Sequence, residues 1–310
     1  MNKKNILLLL FLPILMLAGC TKEDYRNCPA GLYVTFEPQN PKHNYAELVQ
    51  GLDLYFYGQD GNLAANFHYD RDELRPYDRA AFVPQIPAGK YRLVAVVNDG
   101  ADTETSGIEK YETLKFGLKK ETVDSKITEF FTAQKQITVG LPGTEIPTEK
   151  MELYKHNNHV RLKIVYDGYD APADMTLQAY MQGHNRTFGY LFEGYSLEGL
   201  AIYLPWTTRY NTEGLPEEFD MATMHIRLGG DLTVHLEETS ETGATGRSIV
   251  LNLADELKKV KNSAGQYLYD TDEKLWYYDE YEITVTIGKD FVVIGLTIDN
   301  WTIIGGGVEV

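Results

Sequence analysis

His159-Val160-Arg161-Leu162-Lys163-Ile164-Val165 alternates polar and apolar residues from His159 to Ile164. Successive side chains of a strand point to opposite faces, so the stretch reads as a strand that buries Val160, Leu162 and Ile164 and wets the rest. Similar runs surround it. Leu32-Tyr33-Val34-Thr35-Phe36, Leu52-Asp53-Leu54-Tyr55-Phe56-Tyr57, Tyr91 to Val97, Gln136 to Val139 and Met175 to Tyr180 are strand candidates. Gln59-Asp60-Gly61-Asn62 is a turn signal. Met224 to Leu228 and Leu232 to Leu236 flank Gly229-Gly230-Asp231, which predicts a hairpin. Glu282 to Ile287 and Phe291 to Ile298, with Gly288-Lys289-Asp290 between them, predict another.

Helix signals are few. Leu253, Ala254, Leu257 and Val260 follow helical spacing, Asn252 stands at the N-cap and Gly265 lies beyond the end. Tyr111 to Leu118 is a weaker second candidate. Many short strands with turns between them predict an all-β chain of stacked antiparallel sheets. Its 310 residues suit two domains. Gly140-Leu141-Pro142-Gly143 and Ile146-Pro147 punctuate the middle, so residues 31–148 and 149–310 are read as two successive β-sandwich domains.

The start of the chain is different in kind. Lys3 and Lys4 precede an apolar run from Ile6 to Leu17. These 12 residues are too few for a membrane span of about 20 residues, and they have the anatomy of a secretory signal. The run exits through Leu17-Ala18-Gly19-Cys20, which resembles a bacterial lipobox. Residues 1–19 are then a signal peptide, Cys20 the lipidated residue and residues 20–30 an acidic tether. The alternative is an ordinary signal peptide with a chance cysteine. Thr21-Lys22-Glu23-Asp24 resembles the signal that sends Bacteroidetes lipoproteins to the outer face of the outer membrane. Its bland alternative is a charged, flexible linker. A lipidated Cys20 leaves Cys28 without an intrachain partner.

Charge and chemistry narrow the function. The net charge is −16, and loss of residues 1–19 would leave 27 basic against 45 acidic residues, a net −18. Nucleic acid is thereby disfavoured as a partner, since phosphate binding needs a basic patch. No Gly-rich phosphate loop, nucleophile elbow or His-Glu-x-x-His helix occurs. His156 and His159 are three residues apart at the mouth of a strand, which sends them to opposite faces and makes them poor joint metal ligands. No enzyme activity is expected, and no cofactor beyond a covalent lipid. Tyrosine is abundant, at 22 residues, and Tyr267, Tyr269, Trp276, Tyr277, Tyr278 and Tyr281 crowd together. Such a cluster suits a contact surface. Aromatic residues also simply favour strands.

The order of these features resembles one family. The lipobox and tether are followed by Asn27-Cys28-Pro29, the strand Leu32 to Phe36, Leu52 to Tyr57 with Asp60-Gly61, and Ile86-Pro87-Ala88-Gly89-Lys90-Tyr91. Met151-Glu152-Leu153 leads into Val160 to Val165, and Ile298-Asp299-Asn300-Trp301 precedes Gly305-Gly306-Gly307. This order is similar to that of the FimB/Mfa-like lipoproteins, anchor subunits of Bacteroidales type V fimbriae. The resemblance implies two transthyretin-like β-sandwich domains, a lipid in the outer membrane, and a hold on the base of a fimbrium. Shaft subunits of that system lose their first strand by arginine-directed cleavage and accept a neighbour's strand in its place. An anchor would keep its first strand, and residues 37–51 contain no arginine. The expected partner is a fimbrial shaft subunit, bound by β-strand addition. Trp301, Ile303, Val308 and Val310, beside the terminal glycines, are the candidate contacts; the alternative is an ordinary closing strand with a frayed tail. The competing function is a surface glycan-binding lipoprotein of a carbohydrate-uptake system.

Overall fold

The computed structural model describes residues 30–140, 146–189, 196–299 and 301–302. The first strands in chain order are β1 (Ala30–Pro38), β2 (Gly51–Tyr57), β3 (Leu63–Asp70), β4 (Ala81–Ile86), β5 (Gly89–Val97), β6 (Thr103–Ser106), β7 (Lys115–Leu118) and β8 (Thr122–Val123). Next come β9 (Phe131–Val139), β10 (Thr148–Lys155), β11 (Asn157–Asp167), β12 (Met175–Gly183), β13 (Thr187–Gly189), β14 (Ser196–Glu198) and β15 (Ala201–Tyr203). The last are β16 (Thr207–Tyr210), β17 (Pro216–Met224), β18 (Thr233–Ser240), β19 (Thr245–Asn252), β20 (Glu280–Gly288), β21 (Val293–Ile298) and β22 (Trp301–Thr302). The chain is mainly β, as expected, and its strands stack as sandwiches.

Seven strands form the first unit in the order β3-β2-β5-β9-β10-β1-β4. The sheet folds over on itself at β10. That strand runs parallel to β1 from Thr148 to Leu153, then pairs with β9 at Tyr154 and Lys155. Thr148–Lys155 is therefore hydrogen-bonded into the first sheet, beyond the Gly140 to Pro147 punctuation. Leu32 and Val34 of β1 are fully buried among Leu52, Leu54 and Phe56 of β2 and Met151 of β10. Full burial of such side chains contributes about 1.5–3 kcal/mol each, so β1 is an integral part of this core. Pro84 sits in β4, an edge strand, where a missing N–H costs no ladder bond.

The second unit packs two sheets face to face. One has the order β16-β17-β11-β20-β21-β22, the other β19-β18-β12-β15-β8. At its centre β11 runs antiparallel to β17 and parallel to β20. Val160, Leu162 and Ile164 point inward as their alternation requires, and pack with Ile283, Val285, Met181 and Leu236.

The two units share a sheet. Residues 103–123 leave the first unit and cross to the second. Their strands β6 and β7 complete a four-stranded sheet, β14-β13-β7-β6, in which Phe116 of β7 faces Phe188 of β13. β8 then adds in parallel to β15.

Three local expectations are corrected. Met224 to Leu236 is no hairpin: β17 ends at Met224 in one sheet, and β18 belongs to the facing sheet. His225 and Ile226 are buried on the way across, and Gly229, at φ 74°, turns the chain. An apolar alternation is satisfied as well by a segment passing between two sheets as by a strand. Tyr111 to Leu118 is no helix either. Only Tyr111–Thr113 makes a single 3-10 turn, and Lys115–Leu118 is β7. The third concerns length: the helix at Leu253 is shorter than its spacing suggests, Leu253–Leu257, but Asn252 caps it, accepting a 3.0 Å hydrogen bond from the Asp255 amide. A helix at Asp272–Tyr277, capped by Thr271, was not anticipated because only 6 residues carry it.

The shared sheet is sensitive at Gly117. A Cβ there would lie 2.5 Å from the Arg186 carbonyl oxygen and from the Thr187 side chain. Gly117→Val should therefore destabilise the protein by about 1–3 kcal/mol and expose the 103–123 segment to protease. Thermal unfolding combined with limited proteolysis checks this, and an unchanged melting temperature and cleavage pattern would show that the shared sheet holds nothing.

Candidate subunit-docking edge

Exposed faces and exposed edges behave differently in the second unit. The outer face of the six-stranded sheet is filled by ion pairs. Asp220 accepts from His159 Nε2 at 2.9 Å and from Arg161 Nε at 3.0 Å, and Lys163 meets Glu282 at 2.8 Å. Burial pushes the Asp220 carboxyl up, but the His159 and Arg161 contacts outweigh it and hold the group below its ordinary range. Such a face is satisfied internally.

Among the described residues the β21 edge is covered only in part. β21 pairs with β20 on one side, and β22 covers only Thr297 and Ile298 on the other. Among the described residues, nothing pairs with the outer edge of Val293 to Leu296. A bulge at this point leaves Ile294 without a partner on β20, and its side chain is 55% exposed beside exposed Val292. Unpaired N–H and C=O groups next to apolar side chains form a template for another strand.

The turn that brings β22 back is held from the tyrosine-rich segment. Ile298 pairs with Trp301, and Asp299, at φ 50°, lies where the chain leaves β21. Tyr269 Oη donates to Asp299 Oδ2, and the Glu282 amide donates to Oδ1 at 2.8 Å. Burial pushes the Asp299 carboxyl up. Nothing in the sequence signalled that Tyr269 would hold Asp299.

The tyrosine cluster thus divides. Tyr269 and Tyr281 are core residues, and Tyr281 Oη donates to the Leu275 carbonyl at 2.9 Å. Tyr267 and Tyr277 are exposed and line a groove of about 710 Å³ with Gln39, Gln266 and Lys274. These rings form no open row along a sheet face.

The remaining predicted residues fall as follows. Trp301 lies in β22, at the end of the β21 edge; its side chain and Ile303, Val308 and Val310 lie outside the described residues. Cys20, Lys22, Glu23 and Asp24 also lie outside them. His156 and His159 do take opposite faces. His159 is on the ion-paired surface, 5.1 Å from the Trp206 ring, whereas His156 is fully buried. Its Nδ1 meets His225 Nε2, and its Nε2 lies 2.6 Å from Thr132 Oγ1. Phe188 packs against it at a tilt of 37°, with ring centroids 4.4 Å apart. Burial holds His156 well below the ordinary imidazole range and pushes His225 down to about 3. Both rings are therefore neutral packing elements at the junction of the units. Among the described residues no cluster of three or more His, Cys, Asp or Glu could hold a metal, and no helix is long and apolar enough to cross a membrane.

A second polar junction was not legible either. Lys155 Nζ lies 2.8 Å from Asp279 and 3.2 Å from Glu129, His43 Nε2 lies 2.6 Å from Asp279, and Asn40 donates to the Tyr277 carbonyl at 2.9 Å. Burial raises the Asp279 carboxyl, but the contacts with His43 and Lys155 reverse this and hold it well below its usual range.

Paired β-sandwiches tied by a common sheet recur among solved structures. A candidate polysaccharide-binding protein from Bacteroides thetaiotaomicron shares the fold, with a TM-score of 0.70 at 18% identity over 88% of this chain and 97% of that one. A candidate adhesin from Bacteroides ovatus gives 0.70 at 16% identity, over 91% and 96%. The fimbrial anchor protein Mfa2 from Porphyromonas gingivalis gives 0.67 at 18% identity, over 89% and 99%. No curated protein sequence matches the chain. The chain belongs to the family of fimbrillin-A associated anchor proteins Mfa1 and Mfa2, whose model matches residues 25–305. Its role is accordingly fimbrium-associated and at the cell surface.

The neutral histidine pair sets an acid limit. Both folded pKa values are depressed, so the stabilisation is complete above the unfolded value near pH 6.5 and is lost as pH falls below it. Two such groups, at about 1.4 kcal/mol per pH unit each, should cost about 4 kcal/mol between pH 6.5 and 5. Denaturant titrations at several pH values read this directly. A stability unchanged across that interval would mean that the imidazoles are charged, or accommodated, in the fold.

Proposed function

We propose that this protein is a lipid-anchored base subunit of a fimbrium: Cys20 carries the lipid, Lys22, Glu23 and Asp24 direct the protein to the outer face of the outer membrane, and a shaft subunit docks by adding a strand. The carrying observation is the position of β1. It is hydrogen-bonded on both sides, to β10 and β4, and its Leu32 and Val34 are fully buried. With β1 in place the sheet has no vacancy there for a neighbour's strand, which supports the reading. Docking then falls to another edge, and β21, whose Val293 to Leu296 have no outer partner among the described residues, is the one that adjoins the end of the chain. Strand addition there would draw affinity from backbone hydrogen bonds and register from the Ile294 and Val292 side chains. Anchor-family membership supports the same reading.

Two experiments test the two ends. Cys20→Ser should abolish lipid labelling and move the protein out of the membrane fraction; retention in the membrane after a high-salt wash would mean that another element anchors it. Deletion of residues 305–310 should leave the protein displayed on whole cells while fimbriae are shed into the medium. Fimbriae that stay attached in that strain would remove the chain terminus from the docking site and direct the search to the groove between Tyr267 and Tyr277.

A further inference from the structure

The first unit carries a cleft that fimbrial anchoring does not use. It occupies about 510 Å³ and is lined by Tyr57, Gln59, Lys90, Arg92, Gln136 and Thr138, among others. The lining follows from strand register. Residues directly opposite each other in an antiparallel pair share a face. Tyr57, Arg92 and Gln136 form one rung across β2, β5 and β9, and Lys90 with Thr138 forms another. The wall is made by the β2–β3 turn and the 3-10 turn at Tyr111, laced together by backbone. The Tyr111 amide donates to the Gly61 carbonyl and the Leu63 amide to the Glu109 carbonyl, each at 2.9 Å. Tyr111 is buried, its hydroxyl donates to Gln134 Oε1 at 2.6 Å, and the Arg92 guanidinium lies over its ring at 4.0 Å. Floor and wall are thus formed before any ligand arrives.

The chemistry of this lining is unlike the rest of the molecule. The chain has 45 acidic residues against 29 basic ones, yet the cleft presents Lys90 and Arg92 and no carboxylate. Among the described residues Lys90 makes no ion pair. Gln59, Gln136 and Thr138 add groups that can both donate and accept, which suits hydroxyls. The cations suit a carboxylate. Small-molecule pockets span about 300–1,000 Å³, so one or two sugar rings fit. The cleft lies on the face of the sheet, where β5 has both backbone edges paired with β2 and β9, so a peptide cannot add as a strand there.

We propose that this cleft binds a carboxylate-bearing saccharide, held by hydrogen bonds in the ring plane and by Lys90 and Arg92 rather than by aromatic stacking. Calorimetric titration of the full chain in detergent, with digalacturonate, neutral digalactose and the dipeptide Glu-Glu as probes, tests it. Digalacturonate should bind saturably, with digalactose and the dipeptide at least tenfold weaker. Lys90→Gln with Arg92→Gln should reduce digalacturonate affinity at least tenfold. Because Arg92 also packs on Tyr111, Gln136→Trp serves as a second variant that fills the cleft while leaving both cations in the sequence, and it should block binding as well. Absence of saturable digalacturonate binding, equal binding of the dipeptide, or affinity unmoved by both variants would overturn the assignment.

Discussion

Everything in this architecture depends on the pairing of Lys115–Leu118 with Thr187–Gly189. Sandwich domains in tandem ordinarily meet through small, polar surfaces, and relative motion is the expected behaviour. Here a segment of the first unit has crossed over and become part of a sheet with the second. Backbone hydrogen bonds, unlike side-chain contacts, fix direction and register together. Phe116, Phe188 and His156 then fill the space beside that sheet, and the Lys155–Asp279 cluster closes the opposite rim. The β21 edge and the cleft at Lys90 are consequently joined through a sheet to which both units contribute.

Polar residues at this junction do two distinct jobs. His156 and His225 are buried, neutral and hydrogen-bonded, and they add shape to an aromatic cluster. Asp279 is kept charged by Lys155 and His43. A neutral buried pair and a charged, partly wet one respond to acid for different reasons, the first by gaining charge and the second by losing it.

Much of the fold could be read from alternation. Where a strand buries one face against a core, as Val160 to Ile164 and Leu52 to Phe56 do, the sequence carries the period of two. It fails where burial has another geometry. Met224 to Leu228 alternates because it threads between two sheets, and Lys115–Leu118 is buried nearly throughout, so it offers no alternation to read. Short elements such as β6, β13 and the Asp272–Tyr277 helix owe their conformation to partners far along the chain, which local pattern does not record. The proposed docking edge was legible only as a terminal strand beside glycines; that Val293 to Leu296 lack an outer partner among the described residues is a property of the sheet. The cleft was invisible, since Lys90, Arg92 and Gln136 become neighbours only through register.

The parallel arrangement of β1 and β10 has a mechanical meaning. In the proposed role a filament pulls on its base, and a load arriving from the residues before Ala30 would enter at the start of β1. The strand is paired with β4 from Ala30 to Val34 and with β10 from Tyr33 to Pro38. A pull along the strand axis loads these hydrogen bonds side by side, in shear, so they must fail together. A strand peeled away from its end would surrender them one at a time. The same chain would thus resist traction far better along β1 than across it.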